Sequence, residues 1–170
     1  MNLSKAGTVP GQMHTLEDIN FFFTSAFNEA EKAFEAGEVP VGSVIVKGKR
    51  IIGRGHNRTN LLHDPTAHAE ILAITAAAGT VQSENLEGCD LFCTLEPCIM
   101  CTGAALNARI RNIYFSAFDP KFGACGSLYN LAEQKKYNHS IRIYSGYFEE
   151  RSTHLLKSFF QSKRNSNIKN

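Results

Sequence analysis

Apolar residues recur at helical spacing from Ile19 through Phe22, Phe23, Ala26, Phe27, Ala30, Ala33 and Phe34, and the pattern stops at Gly37. This predicts an amphipathic helix with its phenylalanine face packed on a sheet. Thr15-x-x-Asp18 stands ahead of it in the arrangement of a capping box. The period then changes. Val39 to Val46 is a run rich in β-branched residues, Lys47-Gly48-Lys49 turns the chain, and Arg50 to Gly55 returns. A β-hairpin follows from this, with its first strand starting around Pro40. A polar loop, Asn57 to Thr66, leads to a second helix, which Ala69, Ile71, Leu72, Ile74 and Ala76 to Ala78 surround with apolar side chains as far as Gly79. Cys89 to Leu95 reads as a short strand running into Pro97 and a third helix through Leu106, after which Asn112 to Phe115 reads as a strand. Strand, helix and strand in that order predict a parallel pair with a crossover. A Gly-rich loop, Asp119 to Ser127, is too long for a bare turn and suits an active-site cover. The rest reads as a short helix, a strand around Ile141 to Tyr144 and a last helix from about Phe148. The expected fold is an α/β three-layer α/β/α sandwich with a mixed central sheet.

A length of 170 residues suits one domain, expected at 15–164, between a flexible arm at 1–14 and a flexible tail at 165–170. The arm has neither the apolar run of a signal peptide nor that of a membrane span. Five cysteines in a chain of this length do not read as a disulfide framework, so Cys89, Cys93 and Cys125 are expected reduced and buried, and the chain cytoplasmic. A formal net charge of +2 does not by itself imply nucleic-acid binding, so an RNA surface has to come from local clustering. The C-terminal segment offers one. From Arg151 onward there are Arg151, Lys157, Lys163, Arg164 and Lys169 with no acidic residue, while Leu155, Leu156, Phe159 and Phe160 share a helical face. A cationic last turn that complements the helix dipole would explain Lys163 and Arg164 but not the wider absence of acids. Phe159, Phe160, Lys163 and Arg164 are therefore candidate RNA contacts.

The chemistry is concentrated in two stretches, His68-Ala69-Glu70 and Pro97-Cys98-Ile99-Met100-Cys101. One imidazole and two thiolates can close three corners of a tetrahedral zinc site and leave the fourth open, which is the catalytic rather than the structural arrangement. Cys98 and Cys101, at i and i+3, share a helix face, and Pro97 suits the first helical position. His68 and Glu70, at i and i+2, do not share a face in mid-helix, so they are expected in the first turn after Pro65-Thr66. A lone Cys-x-x-Cys can be a redox pair, and a lone histidine is more often structural than a ligand. Together, His-x-Glu followed by Pro-Cys-x-x-Cys is the signature of zinc nucleobase deaminases.

Beyond that signature the chain resembles the bacterial tRNA-specific adenosine deaminases of the cytidine deaminase-like superfamily. The resemblance runs through Glu38-Val39-Pro40-Val41-Gly42, Gly53-x-Gly55-x-Asn57, Asp64 to Ile71, Thr94 to Ala104, Asp119 to Ser127 and Phe159-Phe160. It implies a homodimer that converts the wobble adenosine of a tRNA anticodon, expected to be an arginine tRNA, to inosine with release of ammonia. It also implies one zinc per subunit on His68, Cys98 and Cys101, with Glu70 as the proton shuttle. Asn57, Ala69, Asp119 and Lys121 are the implied substrate contacts. Met100, Ala104, Asn107 and Arg109 are the candidate dimer face.

Adenine C6 is a poor electrophile, so a site of this kind needs a zinc-activated water and a carboxylate to move its protons. Two other functions are open at the level of sequence. One is deamination of a free base or nucleoside in a closed pocket, against which the Asp119 to Ser127 loop and the basic C-terminus weigh. The other is a catalytically silent RNA- or protein-binding module, against which the intact Glu70 weighs.

Overall fold

The computed structural model describes residues 14–134 and 136–167. Helix α1 (Leu16–Glu35) opens on Thr15, whose hydroxyl accepts the Asp18 N–H while the Asp18 carboxylate accepts the Thr15 N–H, both at 3.1 Å. The expected capping box is therefore made. The hairpin β1 (Gly42–Lys47) and β2 (Arg50–His56) follows, then a one-turn helix α2 (Thr59–Leu62) and the buried helix α3 (Ala69–Val81). Next come β3 (Cys89–Leu95), α4 (Ile99–Asn107), β4 (Asn112–Ala117), β5 (Arg142–Ser145) and α5 (Glu149–Asn167).

The five strands form one mixed sheet in the order β2-β1-β3-β4-β5. β1 is antiparallel to both β2 and β3, whereas β3, β4 and β5 run parallel, so β3-α4-β4 is the crossover unit read from the sequence. Strands β3 and β4 are buried almost throughout, as continuous apolar runs require. Alternation divides their side chains between two cores. Ile45, Leu91, Cys93, Ile113 and Phe115 pack with Ala73, Ala77 and Ala105 of α3 and α4. Val44, Val46, Phe92 and Tyr114 meet Ile19, Phe22, Phe23 and Phe27 of α1, with Leu155 of α5 packed alongside. Each fully buried phenylalanine there contributes about 1.5–3 kcal/mol of apolar burial. Register also stacks Phe92, Tyr114 and Tyr144 across three strands, with ring centroids 4.4 and 4.6 Å apart. The layering is the expected α/β/α sandwich.

What seats the site is the close approach of α3 to β2. A Cβ at Gly55 would run into the backbone of Ala69 and Ala73, and one at Gly53 into that of Ala73 and Ala77. Only glycine lets the start of α3 lie so near the strand.

Several boundaries differ from the sequence reading. Residues 1–13, most of the expected N-terminal arm, and 168–170, the end of the expected tail, lie outside the described residues. His14, assigned to that arm, is instead buried, its Nε2 2.6 Å from Asp90 Oδ2. Residues 165–167, assigned to the tail, continue α5. The short helix expected after Ser127 is absent among the described residues; turns run up to β5 there, anchored by buried Ala132 and Ile141. Conversely α2 lies in what reads as loop. Its backbone is held by Glu38, whose carboxylate accepts the N–H groups of Asn60 and Leu61 at 3.3 and 2.8 Å. Among the described residues no helix is long and apolar enough to cross a membrane.

Candidate active site and metal centre

Both chemistry-bearing stretches are helix starts. His68 is the N-cap residue of α3 and Cys98 that of α4, both with extended backbones (ψ 153° and 175°). Pro97 consequently stands one position before the cap, not at the first helical residue as expected. The shift has a use: each cap side chain stands at the helix end, where the partial positive charge of the N-terminus favours thiolate. Cys101 lies in the first turn of α4, where it is buried and on the same side.

His68 Nδ1 is 3.7 Å from Cys98 Sγ and 3.6 Å from Cys101 Sγ, and the three ligand atoms lie within 4.8 Å of one another. Zn–S bonds of about 2.3 Å and Zn–N bonds of about 2.0 Å set tetrahedral edges of roughly 3.5–3.8 Å, so the triangle fits zinc. The donor set, one nitrogen and two sulfurs, also suits that metal. The protein's own electrostatics point the same way. The Cys101 thiol, donating to Cys98, pulls the Cys98 thiol down to about 4 against the cost of burial, with His68 adding to the effect. Cys101 is correspondingly pushed up by that bond and by burial. Hydrogen bonding to Cys98 raises His68. Both neighbours thus donate to the Cys98 sulfur, where a divalent cation would take the place of their protons.

Glu70, in the first turn of α3, is only 4% exposed. Burial pushes its carboxyl up to about 7; its own backbone N–H, His68 and Cys101 oppose the shift, and Cys98 adds to it. A carboxyl poised there can both take and give a proton near neutral pH. Neighbouring Asp64 does what its Asx-turn position suggests: Oδ1 accepts the Thr66 N–H and hydroxyl, each at 2.7 Å, and fixes the approach to α3.

The other sequence-derived residues fall into two groups. Asn57 follows β2 directly and is 7% exposed; its N–H donates to Val41 O at 3.1 Å, and the next N–H, of Arg58, reaches Ala67 O at 3.0 Å. These bonds hold Asn57 beside the entry to α3. Ala69 is fully buried under Gly55, so what it can offer a substrate is backbone, in a turn whose N–H groups have no intrahelical acceptor. Asp119 is half-buried, and its carboxylate accepts the Lys121 and Phe122 N–H groups at 2.9 and 3.2 Å, while the Lys121 side chain is exposed.

The C-terminal candidates are less uniform. Phe159 is buried with its ring 5.7 Å from that of Phe34 on α1, so it closes the α1–α5 seam rather than facing RNA; Phe160 is 48% exposed. The Lys163 ammonium lies 5.4 Å over the Phe159 ring, and Arg164 is exposed. Arg151 is drawn to α1, its Nη2 3.1 Å from Glu31 Oε1 and its guanidinium 4.2 Å from the Phe27 ring centroid.

Two residues were not singled out in the sequence for any role at the site, Glu38 and Glu96. Both are buried carboxylates that accept hydrogen bonds from segments flanking the centre: Glu38 takes the Thr59 hydroxyl and the Asn60 and Leu61 N–H groups of α2, and Glu96 takes N–H groups from the 119–127 loop. The available signal was an acidic residue just ahead of an apolar strand, or just after one, with no basic neighbour.

Comparison with known proteins agrees with this geometry. Residues 16–117 match the family described as the cytidine and deoxycytidylate deaminase zinc-binding region, which defines the class as a zinc-dependent deaminase. The tRNA-specific adenosine deaminase of Aquifex aeolicus (strain VF5) is 45% identical over 148 residues, 87% of this chain and 97% of the relative. That of Bacillus subtilis (strain 168) is 42% identical over 143 residues, 84% of this chain and 89% of the relative. A solved structure from studies of A-to-I editing by wobble-position tRNA deaminases superposes with a TM-score of 0.77 at 44% identity, covering 80% of this chain and 99% of that one. The chain belongs to the tRNA-specific adenosine deaminase family within that class.

Proposed function

We infer that this chain hydrolytically deaminates the wobble adenosine in a tRNA anticodon loop, giving inosine and ammonia. The observation that carries the reading is the buried Glu70 carboxyl beside the His68, Cys98 and Cys101 triangle, in a chain with relatives of that specificity. His68, Cys98 and Cys101 would hold one zinc. When bound, zinc supplies Lewis acidity that makes water acidic enough to react near neutral pH.

Glu70 moves the protons. It takes one from the attacking water, passes it to the ring nitrogen beside C6 as that carbon becomes tetrahedral, and then supports protonation of the departing amino group, which leaves as ammonia. The C6–N bond breaks and a C6–O bond replaces it. The adenine has to leave its stack to reach Glu70, which costs least in a single-stranded loop. Asn57 and the Ala69 backbone would contact the base, and Asp119 and Lys121 the nucleotide around it. Phe160, Lys163 and Arg164, exposed on α5, would meet the RNA. The substrate proposed is an arginine tRNA, and the compartment the cytoplasm.

A homodimer is part of the proposal. The outer face of α4 and the turn after it support it: Ile99 is 58% exposed, Asn107 and, past the helix end, Arg109 are exposed, Met100 and Ala104 are half-buried, and a Cβ at Gly103 would meet open space. Sedimentation at micromolar protein should give a dimer, and a monomer there removes this part.

The function is tested by incubating the zinc-loaded chain with total tRNA and, separately, with free nucleosides and bases. Inosine and ammonia should appear with tRNA only. Turnover of free bases with intact tRNA left unmodified would overturn the reading.

A further inference from the structure

Glu96 closes β3's exit two residues before the ligand Cys98, is 2% exposed, and is ion-paired with no residue among those described. Among the described residues, every partner of its carboxylate is a neutral donor from one loop. Oε1 accepts the N–H groups of Cys125 at 3.0 Å and Ser127 at 2.9 Å; Oε2 accepts the Asp119 N–H at 2.9 Å and the Ser127 hydroxyl. Gly123 crosses directly over this carboxylate, where a Cβ would collide with it. The same loop is stitched to the metal-bearing segment by Ala124 N–H on Pro97 O at 2.9 Å and by a bridge between Cys98 and Gly123.

We propose that Glu96 is a positioning residue, setting the loop that carries Asp119 and Lys121 in register with the metal ligands. The proposal rests on the tRNA deaminase reading for what the loop does, and on the geometry above for how it is held. The chemistry requires a carboxylate. Two oxygens presenting only lone pairs can meet four donors, whereas an amide offers one oxygen and an NH2. Turned toward Cys125 and Ser127, that NH2 opposes two N–H groups that cannot rotate. Turned the other way, the Ser127 hydroxyl can reorient, but the Asp119 N–H is left without an acceptor. Glu96→Gln is therefore nearly isosteric yet breaks the device at the residue that begins the loop. Asp119 in turn caps Lys121 and Phe122, so the loss propagates along the segment facing the substrate.

The test compares Glu96→Gln and Ser127→Ala with the unaltered full chain, all zinc-loaded, by zinc content, amide hydrogen exchange and steady-state kinetics on tRNA. In Glu96→Gln, zinc should stay at one per chain, and amides of α3 should keep their protection. The amides of Asp119, Cys125 and Ser127 should exchange at least about 10-fold faster, with kcat/KM on tRNA down about 10- to 100-fold, mainly through KM. Ser127→Ala keeps three of the four bonds and should show a smaller change of the same kind. Unchanged exchange at those three amides, or exchange raised throughout the fold with zinc lost, would overturn the positioning role. If the unaltered chain makes no inosine from tRNA, the functional reading falls, and the exchange data still decide what Glu96 does.

Discussion

His68 Nδ1 stands 3.7 Å from Cys98 Sγ, and the two residues are the N-caps of α3 and α4. A cation between them ties two helix starts together, so metal occupancy and folding are linked. His68→Ala or Cys101→Ala should lower zinc from one per chain to none by elemental analysis of chelator-free protein. Free zinc at 100 times its Kd stabilises by about 2.7 kcal/mol, roughly 5–10 °C in Tm for a domain of this size. Added zinc should raise Tm in the unaltered chain and leave it unchanged in these variants.

Glu70→Gln should separate proton transfer from metal binding. Loss of a general acid-base group costs about 10² to 10⁴ in rate, and more when the same group acts twice. Single-turnover inosine formation should fall by at least that factor with zinc content unchanged. Near-normal turnover would hand the proton transfers to another residue.

Asp90 predicts how stability changes in acid. Burial alone would raise its carboxyl, but hydrogen bonds from His14 and Arg111 and the charge on Arg111 outweigh burial and hold it below the ordinary value. Arg111 Nη2 is 2.6 Å and Asn112 Nδ2 2.7 Å from its oxygens. A carboxyl lowered in the folded state contributes stability above its unfolded pKa, and that contribution is lost as pH falls through the folded pKa. The unaltered chain should therefore lose stability below about pH 4. Asp90→Asn should be less stable at pH 7 by about 1–3 kcal/mol and lose less between neutral and acid pH, as measured by urea unfolding across that range. Parallel pH profiles for the two proteins would remove Asp90 from the account.

The basic residues exposed on α5 should register in salt dependence. Lys157, Lys163 and Arg164 face solvent, whereas Arg151 is engaged by Glu31. If three of them meet phosphates of a single-stranded loop, replacing all three with Gln should flatten the log-log salt slope of tRNA affinity by about 2. Zinc content should not change. An unaltered slope would mark these residues as solvated surface.

Much of this protein is determined locally and was legible in the sequence. The capping box at Thr15 and Asp18, the phenylalanine spacing of α1, the order strand, helix, strand at β3-α4-β4 and the Pro-Cys-x-x-Cys half of the ligand set need only the neighbours a few residues away, because helix and strand periods and metal-ligand spacing are properties of short segments, whereas the meeting of His68 with Cys98 spans 30 residues. What tertiary structure decided is where long-range polar groups find partners. Glu38 reaches 22 residues along the chain to Asn60, Glu96 reaches 31 to Ser127, and His14 reaches 76 to Asp90. A carboxylate's acceptors are satisfied by whichever N–H groups the packed layers bring to it, and no local period encodes that. The same reason explains α2, which exists where Glu38 supplies its acceptors, and Phe159, which packs against Phe34 while Phe160, one residue on, stays open to solvent.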